Sequence, residues 1–161
     1  MSVPKTTTIE KIINAFKETK KAGIYTLGYF MAGLPGETQE TIKDTINLQN
    51  KINPDFVSWG ILVVYPGSKL AKLIEAGKYQ GKLSNLGEGK NLAGTFFGKG
   101  DYLIFEDNLS FDQLRQIIKK ANIGFYLRPV YVWQSIKNIK SFSDFKYYFS
   151  GGLEVLKSAL S

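Results

Sequence analysis

Two apolar runs of similar length, separated by one amphipathic stretch, constrain this chain more than any other feature. Residues 24–32 read IYTLGYFMA and residues 56–65 read FVSWGILVVY. Both are rich in aromatic and β-branched residues and nearly free of charge, the pattern of strands buried on both faces. Between them, residues 38–51 place Ile42 and Ile46 on one helical face, and Asn53-Pro54 closes that helix. A helix between two strands implies a crossover, and a crossover joins parallel strands.

The flanking segments extend the alternation. Residues 7–22 read as a helix, with Thr7 and Glu10 at capping-box spacing and Ile9, Ile12, Ile13 and Phe16 on one face. Gly23 follows where a glycine ends a helix. Ser68 can cap a short third helix carrying Leu70, Leu73 and Ile74, with Gly77 beyond it. The first half is therefore helix, strand, loop, helix, strand, loop, helix. Residues 78–108 are rich in glycine and lysine and read as an irregular excursion with a short strand at 102–105, a functional loop or a bland insertion. Helices resume at Ser110, where Gln113 completes a capping box and Leu114, Ile117, Ile118 and Ala121 share a face. Pro129 opens the next helix, carried by Val132, Trp133, Ile136 and Ile139. A last helix spans 143–159, with a break at Gly151-Gly152. The expected organisation is 1–77, 78–108 and a helical region over 109–161.

Length and composition limit the chemistry. The 161 residues suit a single core of useful size. The chain has no cysteine and no histidine, which excludes disulfides, thiolate nucleophiles, Cys- or His-bound metals and the Ser-His-Asp triad from its own side chains. No apolar run reaches the roughly 20 residues of a membrane helix. MSVPKTTTIEKI lacks an apolar leader core, so a cytoplasmic location is expected. The formal net charge is +7, yet only Arg115 and Arg128 are arginines among 21 basic side chains. Lys11, Lys17, Lys20, Lys21, Lys43, Lys51, Lys119 and Lys120 are spread along expected helices. They read as solvated helix faces, with a nucleic-acid surface as the alternative.

In parallel α/β folds, loops after strand C-termini build the ligand site. Gly33-Leu34-Pro35-Gly36-Glu37-Thr38 is one such loop. Its glycines let backbone amides approach a ligand, and the next helix begins with unpaired N–H groups. Glu37 and Thr38 can cap that helix or take a ligand amine or hydroxyl. A plain tight turn is the competing reading. The Lys-Ser/Thr pair of a phosphate loop is missing. Val63-Val64-Tyr65-Pro66-Gly67-Ser68 is the matching loop, where Val64 and Tyr65 either pack on a flat ring or end the strand core. Asp44 belongs to a solvated helix face, and Glu106-Asp107-Asn108 reads as a helix cap. Arg128 suits a carboxylate or phosphate, or a structural ion pair.

The segment GYFMAGLPGETQETIKDTINLQNKINPDFVSWGILVVYPGSKL, residues 28–70, resembles the C-terminal half of a radical S-adenosylmethionine (SAM) catalytic domain. FYLRPVYVWQSIKNIKSFSDFKYYFSGGLEVL, residues 125–156, resembles the helical region after the barrel in the subgroup with a cobalamin-binding domain. The resemblance implies an α/β fold: the C-terminal portion of a partial (β/α)6 TIM-like barrel, two parallel strands with crossover helices, then a helical C-terminal region. It implies SAM near Gly33, Leu34, Pro35, Gly36 and Glu37, with Val64 and Tyr65 beside the adenine. It also implies a [4Fe-4S] cluster and cobalamin in a full-length parent.

The chain departs from that family in lacking the CxxxCxxC cluster motif and the first four barrel strands. It is therefore expected not to cleave SAM alone, and to need its missing N-terminal half or a cluster-bearing partner subunit to act on a small-molecule substrate. The alternatives are a non-catalytic remnant or split subunit, and a basic RNA-binding module. Two buried-type strands cannot close a barrel, so exposed apolar surface and unpaired strand edges are expected at their flanks.

Overall fold

A computed structural model describes residues 7–85 and 103–139, with two isolated positions, 141 and 146, beyond them. The contacts divide the chain into two compact units, Met1–Leu109 and Ser110–Ser161. The fold is α/β.

The first unit opens with helix α1, Ile9–Lys21. Thr8, not Thr7, caps it, accepting from the Lys11 amide at 3.3 Å. Adjacent threonines leave the capping position ambiguous to within one residue. Strand β1 is Leu27–Ala32, three residues shorter than the apolar run. Asp55 explains the late start. Its Oδ2 accepts from the Thr26 amide and hydroxyl, each at 2.8 Å, and the Asp55 and Phe56 amides return bonds to the Thr26 carbonyl at 3.1 and 3.0 Å. Lys20 pairs with the same carboxylate at 3.5 Å. This staple makes Thr26 the corner, and Ile24 and Tyr25 stay exposed before it.

Helix α2, Gln39–Ile52, crosses to strand β2, Phe56–Ile61. Thr38 and Thr41 form its capping box, and Asn53 ends it in the left-handed conformation. The strands β1 and β2 are parallel, with Leu27 opposite Phe56 and Ala32 opposite Ile61. The face carrying Ala32, Val57, Trp59 and Ile61 is buried, as are Ile42, Gln49 and Ile52 of α2. Trp59 stacks on Phe30 with ring centroids 5.1 Å apart and donates its indole N–H to Gln49 Oε1 at 2.5 Å. The opposite face differs from the sequence expectation of a strand buried on both sides. Leu27, Tyr29 and Met31 are exposed there, Tyr29 by 78%.

The second apolar run also divides. Leu62 makes the last bond of the parallel pair, donating to the Ala32 carbonyl at 2.8 Å. Strand β3, Val63–Val64, then leaves for another sheet. Helix α3, Lys69–Glu75, follows, capped by Ser68 as its sequence implies. Strands β4, Lys82–Asn85, and β5, Leu103–Glu106, complete a three-stranded antiparallel sheet in the order β3-β5-β4. Strand β5 falls within one residue of the short strand expected at 102–105, whereas β4 occupies a stretch expected to be irregular. Val64, Ala71 and Phe105 form the core of this sheet, with Leu70, Ile74, Leu83 and Leu103 packed around them.

The second unit contains α4, Phe111–Tyr126, and α5, Pro129–Asn138. Ser110 and Gln113 form the expected capping box, and Phe111, Leu114, Ile118, Ala121 and Phe125 are the buried stripe of α4. Val132, Trp133 and Ile136, expected to carry a packed face of α5, are exposed. The helices meet through Phe125, Tyr126 and Tyr131, whose ring centroids lie 5.1–5.3 Å apart. Arg128 lies over the Phe125 ring at 4.2 Å and donates to the Phe125 carbonyl at 3.1 Å. The expected helix over 143–159 lies outside the described residues but for one position. Among the described residues, no helix is long and apolar enough to cross a membrane.

Candidate functional site

The two loops named from sequence leave the same edge of the parallel pair, because register places Ala32 beside Ile61. They are built alike. In the first, the Glu37 amide donates to the Leu34 carbonyl at 2.9 Å, Pro35 stands second, and Gly36 third with φ +81°. In the second, the Ser68 amide donates to the Tyr65 carbonyl at 3.1 Å, Pro66 stands second, and Gly67 third with φ +76°. Proline followed by a residue of positive φ is the signature of a type II turn. A Cβ at Gly36 would meet nothing within 4 Å, so its left-handed backbone, not crowding, requires glycine. Each turn delivers the chain to a capping hydroxyl, Thr38 before α2 and Ser68 before α3.

Glu37 closes the first loop on itself. Its carboxylate is largely buried and accepts from the Gly33 amide at 2.5 Å and from the Leu34 amide. Burial pushes the Glu37 carboxyl above its ordinary range; the two amides oppose that, and the charge of Asp107 adds to it. The carboxylate therefore faces its own loop. Leu34 is the exposed apolar side chain of this loop.

Two residues taken from sequence as helix caps are here instead. Asp107 Oδ2 accepts from the Gly36 amide at 2.6 Å, and Asn108 Nδ2 donates to the Glu37 carbonyl at 3.2 Å. Glu106 accepts from Ser84 at 2.5 Å and pairs with Lys82 at 3.4 Å, so it braces β4 against β5. None of the three caps α4, because Ser110 already does. That Ser110-x-x-Gln113 signal was the available clue: it left Asp107 and Asn108 free for another task.

The structure thus joins Gly33, Leu34, Pro35, Gly36 and Glu37 with Asp107 and Asn108. Val64 pairs with Leu103 in the antiparallel sheet, and Tyr65 follows it directly. Val64 is 1% exposed and sits in the core of the antiparallel sheet, whereas Tyr65 is 57% exposed on the turn. Arg128 faces an aromatic ring and a carbonyl, which accounts for it structurally. Among the described residues, no cluster of three metal-ligating side chains occurs.

Comparison with known proteins finds relatives of this chain in sequence. The chain is 30% identical over 126 residues to an uncharacterized methyltransferase of Pyrococcus horikoshii, covering 76% of this chain and 25% of that protein. It is 38% identical over 68 residues to the anaerobic magnesium-protoporphyrin IX monomethyl ester cyclase of Rubrivivax gelatinosus, covering 42% of this chain and 12% of that one. It is 44% identical over 46 residues to an uncharacterized protein of Methanocaldococcus jannaschii, covering 29% and 9% respectively. The chain spans about a quarter of the length of the first relative and less of the other two. No family model and no solved structure matches it.

Proposed function

We propose that this chain is the C-terminal portion of a radical SAM catalytic barrel, of the B12-dependent type, whose share of the work is to hold SAM and shape the substrate pocket. One observation carries the reading: β1 and the continuous β2–β3 segment each run into a Pro-Gly turn of the same build, followed by a capped helix. The likeness to a methyltransferase and a cyclase supports it. The open face of β1, with Leu27, Tyr29 and Met31 exposed, also supports it, since parallel sheets are ordinarily covered on both sides.

The residues fit part of a SAM site. Leu34 and Tyr65 offer exposed apolar surface at the sheet edge, and Gly36 leaves open space for a ligand to approach the backbone. Val64 lies in the core of the antiparallel sheet, one residue before Tyr65. Glu37 shapes the loop through Gly33 and Leu34. SAM held there would supply methyl-transfer or radical chemistry. The chain does not fit a [4Fe-4S] cluster, for it has no cysteine. The cluster and the cobalamin belong to the missing N-terminal half or a partner subunit, and the substrate is a small molecule.

The test is co-expression with the cluster-bearing sequence encoded upstream or in a neighbouring gene. Equilibrium dialysis is expected to find SAM bound by the assembly, and calorimetry to find the isolated chain binding weakly. An assembly that binds no SAM, or a lone chain binding it at low micromolar concentration, would refute the proposal.

A further inference from the structure

We propose that Asp107 and Asn108 are positioning residues for the 33–37 loop, fixing it relative to the second turn, 65–68. The inference rests on the reading of that loop as part of a SAM site. The loop's own bonds are local. Leu34 with Glu37, and Glu37 with Gly33, close it on itself but attach it to nothing beyond α2 and β1. Two glycines of positive φ, Gly33 at +86° and Gly36 at +81°, bring no Cβ to restrict its backbone. The bonds from Asp107 to the Gly36 amide and from Asn108 to the Glu37 carbonyl span 71 residues of sequence. They grip the loop at its donor and its acceptor on either side of one peptide unit.

Where this grip comes from gives it meaning. Asp107 and Asn108 follow β5 directly, and β5 pairs with β3, Val63 opposite Ile104 and Val64 opposite Leu103. Strand β3 in turn runs straight into the Tyr65-Pro66-Gly67-Ser68 turn. The path from one turn to the other therefore passes through β3, β5, Asp107 and Gly36, all in hydrogen-bonded register. Asp107 Oδ1 also accepts from the Asn108 amide at 2.6 Å, which sets the angle between the two gripping side chains. A ligand that touches both turns requires their spacing to be held, and this path holds it.

The experiment combines amide hydrogen exchange with SAM titration, both followed by NMR on the isolated chain. Asp107→Ala and Asn108→Ala are expected to speed exchange of the Gly36 amide about tenfold, leaving the Trp59 amide of the parallel pair unchanged. They are also expected to weaken the SAM-induced shifts in 33–37 several-fold. Asp107→Asn keeps an acceptor oxygen and is expected to restore most of both. Ser84→Ala, which removes a bond within the same antiparallel sheet, is the control and is expected to alter neither. Exchange at Gly36 equal to wild type in both alanine variants overturns the grip. A loosened loop with undiminished SAM response overturns the positioning role. A wild-type chain with no SAM response at 33–37 sinks the SAM reading separately, while the exchange rates still decide whether the grip exists.

Discussion

Glu37 shows how one side chain can be legible as a site residue and still surprise. Its place after Gly36 marks it, but its carboxylate is turned into its own loop, where Gly33 and Leu34 meet it. Burial raises its folded pKa above the ordinary 4.5, so the native state keeps the proton to higher pH than the unfolded chain does. Stability contributed here falls as pH rises from about 4.5 through the folded value, then levels. Glu37→Gln cannot titrate, and urea unfolding across that interval is expected to show a flatter pH dependence than wild type. Gly36→Ala is expected to cost about 1–2 kcal/mol in the same measurement, the penalty of a side chain in the left-handed region. Asp107 was less visible. Nothing in its neighbours announces a bond to Gly36, because a contact across 71 residues leaves no periodicity to read.

At the scale of elements, α2, α3 and α4 were readable because their start signals are local: Thr38, Ser68 and Ser110 each bond an amide three residues on. Strands are defined by partners, and there the sequence was less informative. The run from Phe56 to Tyr65 contains no turn residue at Leu62, yet the pairing changes there from parallel with β1 to antiparallel with β5. Strand β4, with its polar Lys82-Leu83-Ser84-Asn85, carried no apolar alternation and exists by pairing with β5. Between α2 and β2 the decisive contact is polar. Gln49 is fully buried and accepts from Trp59, while its own Nε2 has no partner among the described residues. Gln49→Leu and Trp59→Phe each orphan a buried group, at about 1–3 kcal/mol. The double variant removes both partners together and is expected to recover at least about 1 kcal/mol of the summed loss in a double-mutant cycle.

At the scale of the whole molecule, the αβαβα order predicted a parallel sheet with its ligand loops on one edge, and β1 and β2 supply that edge. A strand buried on both faces was also expected, since an apolar run looks the same whether or not its cover is present. Tyr29 and Met31 show that on β1 one face has none among the described residues. An exposed apolar face on a parallel sheet is what a part of a larger barrel would present. The chain matches about a quarter or less of the length of each of these relatives. The central claim is that the two turns at this edge hold SAM. Titration of the isotope-labelled chain with SAM to millimolar concentration, followed by amide NMR, tests it most directly. Weak, saturating shifts at Gly33, Leu34, Gly36 and Tyr65, with none in α4 or α5, are the expected result. Spectra unmoved at those residues, or shifts confined to the second unit, would contradict the account.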